Sequence, residues 1–263
     1  MRRKRLLRSW ALGLLPLVLV AVVAAVVLVR GGQESDVRQD RPGPVLLVAG
    51  YGGSASSLAV LGAALRRAGR TVQVVPPVGD NTGDLRAQAQ ALDRTARQLI
   101  DSGAPSVDVV GYSAGGVVVR IWADDLDGTA VARRVVTLGS PHHGTDIAGL
   151  AANLLTGACP LACRQLAPGG EVLAGLPETP TGPSWTSIWT ANDDLVIPSN
   201  SAALAGAVNI EVQRVCADSQ VKHGDLPRDP LVIGLVERAL GNPQPAAAPT
   251  ASDCVALRRA GQP

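Results

Sequence analysis

Short apolar segments rich in β-branched residues alternate with helical segments between residues 45 and 240. Strands that alternate with helices are joined by right-handed crossovers, so the pattern predicts an α/β fold with helices on both faces of a mainly parallel sheet. About six strands are expected, at Val45 to Ala49, Thr71 to Val75, Val107 to Gly111, Arg134 to Leu138, Trp185 to Thr190 and Ile210 to Val215.

The clearest predicted helix runs from Leu85 to Ile100, where apolar residues recur at helical spacing behind the expected N-cap Asp84. Further helices are predicted at Val117 to Asp125 and near Leu231 to Leu240. The chain has 263 residues, of which 46% are hydrophobic and 17% charged, so it can build one globular domain with a sizeable core.

A Gly-x-Ser-x-Gly motif stands between the third strand and the helix that follows it. In this setting the serine sits on a sharp, strained turn, and the glycines avoid collisions with neighbouring elements. The N-terminus of the next helix would favour negative charge developing beside the serine. Ser113 is therefore the candidate nucleophile, within Gly111-Tyr112-Ser113-Ala114-Gly115-Gly116.

A serine hydroxyl is a weak nucleophile unless a base takes its proton, and that base is usually a histidine oriented by a carboxylate. The chain has three histidines, His142, His143 and His223. In α/β hydrolases, where the serine sits on such a strand-to-helix turn, called the nucleophile elbow, the order along the chain is serine, acid, histidine. His223 is the one that satisfies this order, so we predict a structural or pocket-lining role for His142 and His143.

The acid should lie on a loop after the strand Trp185 to Thr190. Two adjacent aspartates, Asp193 and Asp194, compete for this role. We prefer Asp193, because its distance from Val196 matches the usual pattern of such acid loops. Asp194 is then a solvated neighbour or a turn former.

A tetrahedral intermediate also needs two backbone donors, which together form an oxyanion hole. The amide of Ala114, directly after the nucleophile, should be one of them. The glycine-rich loop after the first strand should supply the other, through the amide of Tyr51. A phosphate-binding loop is the alternative, but the glycines match neither a P-loop nor a dinucleotide-binding pattern: Gly50, Gly52 and Gly53.

Taken in order, these motifs resemble those of the small bacterial triacylglycerol lipases and esterases of the α/β-hydrolase superfamily, over about Pro44 to Leu240. The matching segments are Gly50-Tyr51-Gly52-Gly53, the elbow, Thr137-Leu138-Gly139-Ser140-Pro141-His142-His143-Gly144, Thr186-Ser187-Ile188 leading to Asp193, and His223. The resemblance implies an α/β-hydrolase fold without a large cap domain, lipase or carboxylesterase activity, and no cofactor. Many of these lipases carry His where this chain has Ala49, which is a departure in the oxyanion loop.

The first thirty residues differ from the rest of the chain. Five basic residues precede an uncharged stretch from Ser9 to Val29, which as a helix would span roughly 30 Å, the thickness of the hydrocarbon core of a bilayer. Residues 1–30 are therefore predicted to be an uncleaved membrane anchor or a signal peptide, with the domain on the extracytoplasmic side. Residues 31–44 are predicted to be a linker, and 45–240 the catalytic domain.

Outside residues 1–30 the chain has 18 basic and 22 acidic residues, a formal net charge of −4, so nothing indicates nucleic-acid binding. The four cysteines lie in the part predicted to be exported and indicate two disulfides, with three possible connectivities. We predict Cys159 with Cys163 and Cys216 with Cys254. Zinc is the alternative, but the spacings fit poorly and histidines are few.

Two segments break the alternation. From Pro141 to Pro183 the chain is rich in Gly and Pro, with one convincing helix at Ile147 to Leu155, and is expected to be a functional lid, a binding loop or an inert surface excursion. Residues 241–263 are expected to be a loosely ordered tail unless Cys254 is bridged.

The sequence thus predicts a monomeric serine hydrolase acting on a lipid or small ester. The same site could serve an acyltransferase or thioesterase acting on cell-envelope lipids, since any acceptor that outcompetes water would take the acyl group. A non-catalytic scaffold that binds lipids is the alternative outside enzymes.

Overall fold

A computed structural model of the chain describes residues 37, 39–146, 159–243 and 247–262. Within these residues six parallel strands form one sheet in the order β2-β1-β3-β4-β5-β6. The strands are β1 (Val45–Val48), β2 (Val72–Val74), β3 (Val107–Tyr112), β4 (Ala132–Leu138), β5 (Ser184–Trp189) and β6 (Val208–Glu211). The predicted α/β class with a parallel sheet of six strands is confirmed.

Helices cover both faces of the sheet, as predicted. The described residues form α1 (Ala59–Arg67), α2 (Leu85–Asp101), α3 (Ala114–Asp125), α4 (Leu161–Gln165), α5 (Glu171–Ala174), α6 (Val212–Val215), α7 (Pro230–Ala239) and α8 (Cys254–Ala260). Successive strand residues point to opposite faces, so Leu46 and Val48 of β1 pack in the core with α2 and α3, whereas Val45 and Leu47 pack with α1 and α7.

The predicted helix behind Asp84 is α2, and the carboxylate of Asp84 accepts a hydrogen bond from the Arg86 amide at 3.0 Å. The helix after the elbow begins at Ala114, three residues before the predicted start, because the turn at Ser113 leads directly into it.

The sixth strand was predicted wrongly in its second half. The prediction ran from Ile210 to Val215, but β6 ends at Glu211 and residues 212–215 form α6. Val212 and Val215 are both buried, while Arg214 between them is largely exposed. Residues three apart share a face of a helical turn but not of a strand, so one turn buries both valines.

The segment from Pro141 to Pro183 also differs from its prediction. The helix predicted at Ile147 to Leu155 lies outside the described residues, whereas two short helices that were not predicted, α4 and α5, occur further along. Each has about one turn, too short for a periodic signal, and is held by tertiary contacts. In α4 the Gln165 amide donates to the Asp84 carboxylate at 2.8 Å.

The segment predicted to be a membrane anchor or signal peptide, residues 1–30, lies outside the described residues. In the part of the chain that is described, no helix combines the length and the apolar character needed to span a bilayer.

A buried ion cluster closes the amino end of the sheet. Arg133 donates to both carboxylate oxygens of Asp108, at 2.9 and 2.6 Å, and both side chains are fully buried. Arg70 also pairs with Asp108 and donates to the carbonyl of Gly43 at 2.9 Å. Arg133 reaches the carbonyl of Leu240 at 2.9 Å. The cluster therefore joins the end of α7 and the segment before β1 to the central strands.

The structure contains both predicted disulfides, Cys159 with Cys163 and Cys216 with Cys254. The second joins α8 to the segment between β6 and His223. A side-chain carbon at Gly234 of α7 would lie 2.1 Å from the carbonyl oxygen of Leu257 in α8, so glycine permits the two helices to pack closely. The tail is thus helical over Cys254–Ala260.

A buried chain of hydroxyl groups fixes the loop after β4. Ser187 donates to the carbonyl of Ala202 at 2.6 Å, and Thr137 donates to Ser187 at 3.0 Å. Thr137 has then used its proton, so it accepts from Nε2 of His142, which lies 3.0 Å away. Burial, together with the positive charge of Arg120 and the neighbouring His143, holds the pKa of His142 well below 6.5. His142 is therefore a neutral donor.

We expect the two disulfides to contribute unequally to stability. Loop-closure entropy predicts a loss of about 4 kcal/mol on removing Cys216–Cys254, which closes a separation of 38 residues, and about 2 kcal/mol for Cys159–Cys163, with a separation of 4. The paired Cys→Ser variants can be compared by urea denaturation. Equal losses would contradict the entropic explanation.

His142 should make the protein less stable in mild acid. The unfolded chain takes up a proton at this residue below about pH 6.5, whereas the folded chain does not, so stability is lost as the pH falls through that value, by up to about 1.4 kcal/mol per pH unit. The free energy of unfolding of His142→Gln, measured between about pH 5 and 7.5, should depend less steeply on pH than that of the wild type. Identical slopes would show that His142 takes up its proton at the same pH in the folded and the unfolded chain.

Candidate active site

Ser113 lies on a sharp turn between β3 and α3. Its backbone has φ 55° and ψ −128°, a conformation that residues with a side chain rarely adopt, and its amide donates to the Leu138 carbonyl at 2.8 Å. The glycines of the motif permit this turn. A side-chain carbon at Gly115 would lie 2.4 Å from the Val48 carbonyl oxygen, and one at Gly111 would lie 2.6 Å from the Cα of Gly116.

The imidazole of His223 links the predicted nucleophile to the predicted acid. Its Nε2 lies 3.0 Å from Oγ of Ser113, and its Nδ1 lies 2.8 Å from Oδ2 of Asp193. His223 and the Asp193 side chain are 2% and 1% exposed. A carboxylate can only accept, so Nδ1 carries the proton and Nε2 offers its lone pair to the serine hydroxyl.

The two adjacent aspartates lie in different environments. The other carboxylate oxygen of Asp193, Oδ1, accepts hydrogen bonds from the backbone amides of Leu195 and Val196 at 3.0 and 2.7 Å. This carboxylate is therefore held by the backbone of its own loop and faces His223. The side chain of Asp194 is 52% exposed, and its carboxylate lies 3.7 Å from the ammonium of Lys222.

Tyr112 supports the histidine, a role that was not predicted from the sequence. Its hydroxyl donates to the backbone carbonyl of His223 at 3.1 Å, and the two rings are 5.2 Å apart between centroids. Burial raises the pKa of Tyr112 above its ordinary value of 10, with the charge of Asp193 adding to the effect. The phenol therefore stays protonated as a donor. Its position inside the Gly-x-Ser-x-Gly motif is the signal that could have indicated this contact.

The predicted oxyanion donors flank the nucleophile. β1 lies between β2 and β3, so the chain direction across the sheet reverses there, which is where open α/β sheets bind ligands. A side-chain carbon at Gly50 would lie 2.7 Å from Cβ of Ser113, so the loop after β1 approaches the serine closely. Within the described residues, no acceptor receives a hydrogen bond from the backbone amide of Tyr51 or of Ala114.

A cleft of about 190 Å³ opens beside Ser113. The described residues that line it carry no formal charge while the histidine is neutral: Gly50, Tyr51, Gly53, Ser57, Tyr112, Ser113, Pro141, Thr145, Leu166, Leu195, Val196 and His223. Leu166 comes from the segment after β4, and Thr145 joins that segment to the acid loop through a hydrogen bond to the Leu195 carbonyl at 2.9 Å.

Arg120 of α3 holds the segment after β4 through hydrogen bonds to its backbone. Its buried guanidinium donates to the backbone carbonyls of His142, Leu176 and Pro177 at 2.9, 3.2 and 2.7 Å. Burial lowers the pKa of Arg120, and the carbonyl oxygens compensate for the water that the cation has lost. The helix that follows the nucleophile therefore also positions one wall of the site.

Neither of the other two histidines is among the described residues that line the cleft. His142 belongs to the buried hydroxyl chain, and His143 is half exposed, with Nε2 2.9 Å from the Glu178 carboxylate. Among the described residues, one set of three potential metal ligands lies together, formed by Cys216, Asp218 and Cys254. Both sulfurs are bonded to each other, however, and Asp218 pairs with Arg258, so this set is not suited to a metal.

Comparison with known proteins gives similarity in fold at low sequence identity. No family model matches the chain. A lipase of Bacillus licheniformis, BlEst2 in its mature form, has a TM-score of 0.62 and 18% identity, over 75% of this chain and 91% of that one. Lipase B of Aspergillus fumigatus has a TM-score of 0.67 and 18% identity, over 88% of this chain. That alignment includes 58% of the Aspergillus chain, so this chain matches only part of it.

The parallel sheet, the turn at Ser113 between β3 and α3, and these structural neighbours agree with one another. The chain has the α/β-hydrolase fold.

Proposed function

We propose that the chain is a serine hydrolase that cleaves carboxylic esters of lipids, with Ser113 as nucleophile, His223 as base and Asp193 as the orienting acid. The observation that carries this proposal is the pair of short contacts made by His223, 3.0 Å to the serine hydroxyl and 2.8 Å to the carboxylate. The two lipases with similar folds support it.

The reaction would proceed by double displacement. Nε2 of His223 takes the proton of Ser113 as Oγ attacks the acyl carbonyl carbon. The resulting imidazolium, stabilised by Asp193, gives that proton to the departing alcohol, which leaves an acyl-serine. A water molecule then attacks the acyl-serine while His223 takes its proton, and the proton returns to Oγ as the carboxylic acid leaves.

The negative charge of each tetrahedral intermediate would be held by two backbone amides. Those of Tyr51 and Ala114 have no acceptor within the described residues, so both can donate to the substrate oxygen. Ala114 is also the first residue of α3, whose helix dipole favours negative charge at this point.

The lining of the cleft supports a neutral, apolar acyl group. Leu166, Leu195, Val196 and Pro141 face the space beside the serine, and no charged side chain is among the described lining residues. A cationic or strongly anionic substrate would lose its hydration there without compensation. An ester with a hydrocarbon acyl chain would bury apolar surface instead.

We further propose an extracytoplasmic location, with residues 1–30 acting as an anchor or an export signal. The two disulfides support it, since such bonds persist in oxidising compartments.

Ser113→Ala should reduce turnover of a p-nitrophenyl acyl ester by at least about 10³-fold, because the acyl-enzyme cannot form. A fluorophosphonate probe should label the wild type at one site and leave the variant unlabelled. The variant should unfold at the same urea concentration as the wild type. If it retains wild-type turnover, the assignment of the nucleophile is wrong.

The adjacent aspartates offer a matched pair of variants. Asp193→Asn should lower kcat by about 10³- to 10⁴-fold, because an amide in this place favours the wrong tautomer of His223. Asp194→Asn, at an exposed position 3.7 Å from Lys222, should stay within about threefold of the wild type. Steady-state kinetics on the same ester measures both values. The reverse order of effects would assign the acid to Asp194.

A further inference from the structure

Asn81, in the turn after β2, holds the loop that approaches the nucleophile. Its side-chain amide nitrogen donates to the carbonyl of Gly50 at 2.8 Å, and its own backbone carbonyl accepts the amide of Gly52 at 3.2 Å. The second neighbour of the amide nitrogen is the carbonyl of Ala49, at 3.5 Å. Because both neighbours are acceptors, the nitrogen must face them and the oxygen must point away.

The bond to Gly50 acts directly on the proposed oxyanion donor. The carbonyl of Gly50 and the amide of Tyr51 belong to one planar trans peptide, so fixing the C=O on one side directs the N–H to the other. The Gly53 amide also donates to this carbonyl, at 3.0 Å. Two donors on one carbonyl polarise the peptide group, which makes the N–H at its other end a stronger donor.

Asn81 is itself held rigidly. It is 8% exposed and has φ 65°, a left-handed conformation that asparagine tolerates better than most residues. The turn around it is closed by a two-way contact in which the Gln88 side chain accepts from the Val78 amide and donates to the Val78 carbonyl, both at 3.0 Å. On the far side, the amide of Ala162 in α4 donates to the carbonyl of Thr82 at 3.2 Å.

We infer that Asn81 is a positioning residue for the oxyanion hole, which orients and polarises the peptide that presents the Tyr51 amide to the substrate oxygen. This inference rests on the proposed function. Asn81 does not touch the substrate, so it should affect the transition state far more than ground-state binding.

Two variants separate the side-chain donor from the backbone conformation. Asn81→Gly removes the donor and tolerates the positive φ. Asn81→Asp keeps the shape but replaces the donor with a carboxylate, which repels both the Gly50 carbonyl and an oxyanion. Asn209→Asp is a matched control, because the Asn209 side chain holds a turn near β6 through the carbonyls of Leu204 and Ala207, at 2.7 and 3.2 Å.

The measurement uses the full chain and a trifluoromethyl ketone with an alkyl chain, which adds to a serine hydroxyl and leaves an oxyanion in place of the carbonyl oxygen. ¹⁹F NMR across a pH series gives the midpoint at which this hemiketal ionises. The affinity of the ketone and the kcat and KM of a p-nitrophenyl ester are measured for the same proteins. A role limited to folding would move stability but not the ionisation of the adduct.

We expect Asn81→Gly to lower kcat by about 10- to 100-fold and to leave KM within about threefold of the wild-type value. This loss in kcat is smaller than the 10²- to 10³-fold loss that is typical when an oxyanion donor itself is deleted. The hemiketal midpoint should rise by about one pH unit, and the ketone should bind about tenfold more weakly. Asn81→Asp should show losses at least as large. Asn209→Asp should keep the wild-type midpoint whatever its effect on urea denaturation.

If the wild type forms the adduct and the adducts of the Asn81 variants ionise at the same pH as that of the wild type, the role of Asn81 is refuted and the proposed function is left intact. A wild-type chain that neither forms the adduct nor hydrolyses the ester would refute the proposed function, and the role of Asn81 with it.

Discussion

The strained backbone at Ser113 is the constraint on which the arrangement of the site depends. A residue with a side chain at φ 55° costs on the order of 1–3 kcal/mol, so the surrounding structure must hold it there. The Leu138 carbonyl accepts a hydrogen bond from the Ser113 amide, and the glycines of the motif allow α3 to pack against β1 and β3 without collision. The result is a hydroxyl that projects from the edge of the sheet, with the N-terminus of a buried helix directly behind it.

The parallel sheet brings the other site residues to the same edge. Asp193 follows β5 and His223 follows β6, while the loop with Tyr51 follows β1 on the other side of β3. Strand order alone places these loops near one another, and the final distances depend on supporting contacts. The backbone amides that hold Asp193 and the Tyr112 hydroxyl on the carbonyl of His223 are such contacts.

The sequence predicted those features that depend on local pattern. Six strands and the helix behind Asp84 could be read from periodicity and capping, because each is encoded within a few neighbouring residues. The roles of Ser113, Asp193 and His223, which motif order indicates, stay a proposal. The second half of the sixth strand was predicted wrongly, since Val212 and Val215 are apolar in a strand and in a single helical turn alike. Asn81 could not be found at all, because it lies in a run of Gly, Asp and Asn that indicates only a turn, and its partners are about thirty residues earlier in the chain.

The uncharged lining of the cleft has a consequence for the end of a catalytic cycle. Under the proposed reaction the acyl product leaves the serine as a carboxylic acid, which is ionised at neutral pH. Once His223 has returned its proton to Ser113 and is neutral, none of the described lining residues carries a cation that could pair with the anion, and Asp193 lies behind the histidine with a charge of the same sign. Under that proposal, ionisation would favour release of the acid from the cleft, so product inhibition should be weak and should increase as the medium becomes more acidic.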